Sequence, residues 1–173
     1  MLLIRDAELN DLPEMLAIYN EAVRNLTATF DLQELTMEER RAWFDQHKGK
    51  FPFIVAVIDG EVAGYSCLSQ FNGKPAYSRT TELSIYISSK HRGHGIGSAL
   101  MNEMIQKAEE TGVHTMISLI SGGNLASIKL HEKFGFKCAG CLKEVGFKFG
   151  KWQDVFYYQR MISQEKSFMT DND

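Results

Sequence analysis

The chain has 173 residues, 44% of them hydrophobic, which suits one domain with a sizeable core. Its formal net charge of -3 leaves no basic excess for nucleic acid, and no apolar run approaches the roughly 18 residues that cross a bilayer. The N-terminus lacks a charged region followed by a long apolar stretch and a cleavage site, which predicts a cytoplasmic protein. Cys67, Cys138 and Cys141 are an odd set without a signal peptide, which argues against a disulfide framework. In a strand, positions three apart point to opposite faces, and Cys138-Ala139-Gly140-Cys141 has no second ligand pair nearby. No metal or redox site is expected there.

Leu3-Ile4-Arg5 reads as a short first strand. Asn10 offers a helix N-cap, with Asp11 and Glu14 in the first turn. Leu12, Met15, Ile18, Tyr19, Ala22 and Val23 recur at helical spacing to about Leu26. Thr27-Ala28-Thr29-Phe30 breaks that pattern and reads as a loop. Thr36, with Glu39 in the third place after it, makes a capping box for a second helix anchored by Trp43 and Phe44. Residues 53–58 and 61–68 form a hairpin through Asp59-Gly60, the pair that supplies the positive φ of a two-residue turn. Gly64 within it marks a bulge or a close backbone approach.

Residues 71–79, with Gly73 and Pro75, read as a loop. Residues 80–88 then alternate: Leu83, Ile85 and Ile87 share one face, Glu82, Ser84 and Tyr86 the other. A mid-strand carboxylate is either a solvated edge charge or a placed base. On a strand that leads into a glycine-rich turn, the second reading is preferred for Glu82.

That turn is Arg92-Gly93-His94-Gly95-Ile96-Gly97. A strand, a glycine-rich turn and a helix N-terminus together make a seat for a phosphate. It is not a P-loop, because no lysine stands between Gly97 and Ser98. A dinucleotide fingerprint would need glycine at Ser98 and an acidic residue where Ser121-Gly122-Gly123 stands. Ile96, Leu100, Met104 and Ala108 form the stripe of the following helix, which Gly112 ends. Residues 114–120 are an apolar strand. Asn124 caps a helix with Leu125, Ile128, Leu130 and Phe134 on its apolar face, and Gly135 stops it. Residues 136–145 and 155–162 are strands joined through Gly146, Gly150 and Trp152. A single domain over 1–162 is expected, followed by a polar, frayed tail from Ser163 to Asp173.

Arg92-x-x-Gly95-x-Gly97 resembles the pyrophosphate loop of the GNAT superfamily of N-acetyltransferases. Asn124-x-x-Ser127-x-x-Leu130-x-Glu132-x-x-Gly135-Phe136 resembles its second signature. The resemblance covers nearly the whole chain. It implies an α/β (α+β) fold, with a mixed, mostly antiparallel central sheet whose central strands splay apart, helices on both faces, and acetyl-CoA in the cleft. By the same resemblance, backbone groups of Ile85, Tyr86 and Ile87 pair with the pantetheine arm as an added strand. The turn through Arg92, Gly93, His94, Gly95, Ile96, Gly97 and Ser98 holds the pyrophosphate. Asn124 bonds the pantetheine arm, and Lys129 or Lys133 reaches the nucleotide end or lies on a solvated helix face.

A narrower similarity is to the phosphinothricin and methionine sulfoximine acetyltransferases. It rests on Thr81-Glu82-x-Ser84-Ile85-Tyr86-Ile87, on Leu130-His131-Glu132, and on the stretch from Gly146 through Lys148, Trp152 and Asp154 to Val155. It implies direct acetyl transfer to the α-amine of a small amino-acid-like substrate. Glu82 would remove the amine proton, directly or through a water, and N–H groups of the splayed strand would stabilise the oxyanion. His131 stands where the superfamily has its acid; otherwise it is a helix histidine bonded to a nearby carbonyl. Phe30 is expected to contact substrate from the loop between the first helices. The branch's carboxylate-gripping arginine is displaced, with Asn72 near its place and Lys74 and Arg79 flanking it. No metal is implied. A homodimer is, with Phe156-Tyr157-Tyr158 contributing. Two other readings stand beside this one: a protein N-terminal or ribosomal-protein acetyltransferase, and an acyl-CoA-binding sensor without turnover. The presence of both Glu82 and His131 disfavours the sensor.

Overall fold

A computed structural model describes residues 1–162, and the segment read as a polar tail lies outside the described residues. In chain order the elements are β1 (Leu2–Asp6), α1 (Leu12–Asn25), α2 (Met37–His47), β2 (Phe53–Ile58), β3 (Glu61–Gln70) and β4 (Thr80–Ile87). Then follow α3 (Ile96–Glu110), β5 (Thr115–Ser121), α4 (Leu125–Lys133), β6 (Lys137–Lys148) and β7 (Lys151–Met161). The seven strands form one sheet in the order β1-β2-β3-β4-β5-β7-β6. Every neighbouring pair is antiparallel except β4 and β5.

That parallel pair is short. It joins Thr80 to Thr115, Thr81 to Met116 and Glu82 to Ile117, and no further. Beyond Glu82, β4 stays with β3 as far as Ile87, while β5 stays with β7 as far as Ser121. The sheet therefore forks, with Glu82 at the closed end, and the expected splay of the central strands is present.

Strand alternation distributes the core. Phe53, Val55 and Val57 of β2 pack with Leu12, Met15, Ile18 and Phe44 of α1 and α2. Ile54 and Ala56 face the other way, into a cluster with Ile96, Leu100, Met104 and Ala108 of α3. Helices thus cover both faces. The stripe read from the sequence on α3 is the buried one, and Gly112 beyond its end takes φ 74°.

Local chemistry explains most boundaries. Asp59 and Gly60 take φ values of 51° and 91° in the β2–β3 turn. Thr36 and Glu39 form the capping box of α2. The register jumps between Ala56 and Val57 opposite Gly64, where a Cβ would stand 2.9 Å from the Tyr86 carbonyl oxygen.

Four expectations are corrected. Asn10 does not cap α1; a short turn precedes the helix, and Glu8 and Asp11 cap one another there. Asp11 is the residue used because it also takes the Arg5 guanidinium at 2.7 and 2.8 Å. On α4, Leu125 is 63% exposed and the buried position is His131. The last two strands are longer than expected and turn tightly at Phe149-Gly150, both at positive φ, so Gly146 and Trp152 are strand residues. Finally, a register shift between Cys138 and Gly140 pairs Cys138 with Tyr158 and Cys141 with Phe156. Partners two apart share a face, so the bulge brings both cysteines to one side. Both thiols are free.

Candidate active site

Two adjoining cavities occupy the fork. The first, of about 240 Å³, lies at the closed end between Glu82, Ser84 and Tyr86 of β4, Ser118 and Ser121 of β5, and Asn124, Ser127 and His131. Thr27, Ala28, Thr29 and Phe30 roof it. The second, of about 380 Å³, follows Ile85, Tyr86 and Ile87 outward to Arg92, Gly93 and the start of α3. The residues expected to hold the two ends of a long ligand are therefore brought into one cleft.

The outer end has the geometry of an anion seat. Gly93 and Gly95 take φ 79° and 77°, which only glycine adopts at little cost. Gly97 is a glycine for another reason: a Cβ there would stand 3.1 Å from Leu130 and 3.3 Å from Ile87. No side chain caps α3, and Ala99 N–H makes its first bond, to Gly95 O at 3.0 Å. Among the described residues the N–H groups of Ile96, Gly97 and Ser98 are thus left to a ligand, at the positive end of the helix dipole. Lys133 Nζ donates to Ser98 Oγ at 3.1 Å and brings a cation to the same place. His94 does not line either cavity; its Nδ1 lies 3.3 Å from His91 O.

At the inner end, Glu82 is half-buried, and no protein hydrogen bond reaches its carboxylate among the described residues. Burial pushes its pKa up, which strengthens it as a base. His131 is 4% exposed. Its Nδ1 lies 2.7 Å from Ser127 O and its Nε2 2.8 Å from Ser118 Oγ. Burial pushes the imidazole pKa down, which favours the neutral ring. His131 is thus bonded to a nearby carbonyl and also lines the recess, with its Nε2 engaged by Ser118. Asn124 Oδ1 caps α4 on Ser127 N–H at 3.2 Å, leaving its NH₂ group for a ligand.

The roof over this recess is tied to three elements. Tyr19 OH lies 2.9 Å from Thr29 Oγ1, and Thr27 Oγ1 2.7 Å from Ser121 Oγ. Lys148, 3% exposed on β6, donates from Nζ to Thr29 O at 2.8 Å. Phe30 lies over Gly146, where a Cβ would meet its ring at 2.3 Å. Gly146 is therefore a place of close approach.

The structure does not bring the expected substrate cations to the cleft. Asn72 Oδ1 accepts the Lys74 N–H at 3.0 Å, and Arg79 Nε donates to Gly112 O at 3.0 Å. All three residues are exposed, and none lines either cavity. The loop that carries them precedes the paired part of β4 and lies beyond the closed end of the fork. Ser118 and Lys148 were not legible as site residues. The available signals were a serine interrupting an apolar strand, and a lysine two places after a strand glycine.

The Acetyltransferase (GNAT) family matches residues 14–136. An L-methionine sulfoximine/L-methionine sulfone acetyltransferase of Pseudomonas aeruginosa is 39% identical over 166 residues, 95% of this chain and 96% of its own. A phosphinothricin acetyltransferase from Sinorhizobium meliloti, solved in complex with AcCoA, superposes with a TM-score of 0.92 at 36% identity, covering 95% of this chain and 90% of that one. A ribosomal-protein-alanine N-acetyltransferase from Brucella melitensis superposes with a TM-score of 0.90 at 42% identity, over 92% of this chain and 99% of that one. The match runs from α1 through the fork to the end of α4, and these relatives align almost end to end. On that ground the chain belongs to the GNAT acetyltransferase family.

Proposed function

We propose that this enzyme moves the acetyl group of acetyl-CoA directly onto the α-amine of a small amino acid or analogue, of the methionine sulfoximine or phosphinothricin type. The observation that carries the reading is the short β4–β5 pairing. It sets a desolvated carboxylate at the closed end of a fork whose open end is a phosphate seat. Acetyl-CoA supplies the activated acyl carbon. Backbone groups of Ile85, Tyr86 and Ile87, the NH₂ of Asn124 and the α3 N-terminus would hold its arm and phosphates, with Lys133 beside them. Glu82 takes the proton that an α-ammonium must lose before it can attack.

The substrate class follows from the recess. It is small, lined by hydroxyls and roofed by a loop pinned from three sides, which suits a compact polar amine. A peptide needs a wider opening. The second reading, a ribosomal-protein acetyltransferase, is favoured by the Brucella melitensis neighbour. Thiol release from acetyl-CoA separates the two. Methionine sulfoximine, methionine sulfone and phosphinothricin should support turnover, and a peptide with an N-terminal alanine should not. Turnover on the peptide alone would reverse the assignment.

The same reading places the protein in the cytoplasm as a homodimer. Of Phe156-Tyr157-Tyr158, Tyr158 is buried and Phe156 packs on the core, which leaves the half-buried Tyr157 as the member of that run open to a second copy. The β6–β7 hairpin also exposes Leu142, Val145, Phe147, Phe149 and Trp152, the last by 60%. Such a patch is the natural contact for a second copy.

A further inference from the structure

We infer that Ser118 is a catalytic residue, whose hydroxyl, backed by His131, carries a proton from the attacking nitrogen to the departing sulfur. This deepens the acetyltransferase reading and rests on it. Ile117, paired with Glu82, is the last β5 residue joined to β4. Ser118 is the next residue and stands at the apex of the fork, lining the same recess as Glu82. It is 2% exposed.

The hydrogen bonds fix the direction of the proton. The Ser127 carbonyl, 2.7 Å from His131 Nδ1, can only accept, so Nδ1 carries the hydrogen. Nε2 is then bare, and at 2.8 Å it accepts the Ser118 O–H. A serine that donates to a neutral imidazole, itself oriented by a third group, is the arrangement of an activated hydroxyl. Both ring nitrogens are engaged, so a proton passes between His131 and the recess through the Ser118 oxygen.

The proton balance gives this pair its own task. An ammonium and a thioester yield an amide, a thiol and one proton for solvent. Glu82 takes the first ammonium proton and releases it to solvent. The free amine attacks the carbonyl carbon, a C–N bond forms, and the nitrogen now holds one proton too many. That proton goes to Ser118 Oγ while the serine's own proton moves to His131 Nε2. The C–S bond then breaks, and the imidazolium returns its proton through Ser118 to the sulfur. Both residues end as they began.

The test is single-turnover thiol release with the best amine of the panel. Ser118→Ala should slow it by roughly 30-fold or more, within the range of a lost proton-transfer group. Acetyl-CoA affinity by calorimetry should stay as in wild type. Ser118→Thr keeps the hydroxyl and should restore the rate to within a few-fold. The double variant Ser118→Ala/His131→Asn should be no slower than the slower single variant, because the two act as one unit. In mixtures of light and heavy water, the wild-type rate should curve with deuterium fraction, since two protons move together. This measurement needs no variant to fold. A wild-type rate in Ser118→Ala, multiplicative losses in the double variant, or a linear isotope dependence overturns the relay. Absence of amine-dependent thiol release from wild type overturns the acetyltransferase reading, and the relay with it.

Discussion

Glu82 and His131 sit in the same recess and titrate in opposite senses, with consequences for stability. Burial raises the Glu82 pKa, so the folded chain holds that proton more tightly than the unfolded chain. Stability therefore falls as pH rises from the ordinary glutamate value of 4.5 to the folded one. Glu82→Gln removes this cost. In urea unfolding it should be more stable than wild type at pH 7, and the gain should vanish below pH 4.5. A less stable variant at pH 7 would mean that the carboxylate has a partner in the folded protein. His131 has the opposite sign: burial lowers its pKa, so the unfolded chain binds the proton first. Its contribution is present above the ordinary value of 6.5 and is lost as pH falls from there through the folded value. At this scale the sequence was half legible. Glu82 stood out because period-two alternation isolates a carboxylate in a strand. Ser118 and Lys148 did not, because their partners lie 13 and 119 residues away in the chain.

At the scale of elements, two glycines separate the two halves of the cleft. Gly95 is the N-cap of α3 at φ 77°, next to the unpaired amides. Gly95→Asp adds a strained Cβ and a negative charge beside the phosphates, and acetyl-CoA affinity should fall by about 100-fold or more, roughly 3 kcal/mol. Unchanged affinity by calorimetry in a folded variant would mean that the phosphate seat lies elsewhere. Gly146→Ala acts on the other half, because its Cβ and the Phe30 ring cannot share the same space. It should raise the KM for the amine about tenfold, the effect of roughly 1.4 kcal/mol of lost contact, and leave acetyl-CoA binding unchanged. Equal amine KM values in wild type and Gly146→Ala would remove Phe30 from the substrate wall. Elements specified by neighbours in sequence were legible: the Asp59-Gly60 turn, the Thr36 capping box, and the α3 stripe. The elements misread depend on groups in other elements. Asp11 replaces Asn10 because Arg5 on β1 binds it, and Gly146 resembled a turn glycine because Phe30 cannot be seen from β6.

At the scale of the whole molecule, function follows from where one parallel pairing stops. The splay was legible only through family resemblance. Nothing local in β4 or β5 says that they part after Glu82 and Ile117, or that β7 inserts between β5 and β6. The exposed hairpin leads to a statement about assembly. Light scattering should give twice the chain mass of 19.6 kDa, and Trp152→Asp should shift the protein toward monomer. A monomeric wild type at working concentrations would exclude that interface. The most direct test of the fork as an acetyl-transfer site is the pH–rate profile of Glu82→Gln against wild type, with acetyl-CoA and the best amine. The variant should lose roughly 100-fold or more in turnover at neutral pH and bind acetyl-CoA as wild type does. It should then recover part of its rate as pH rises, because more of the amine is already neutral. Turnover equal to wild type at neutral pH would contradict the assignment of Glu82 as the base.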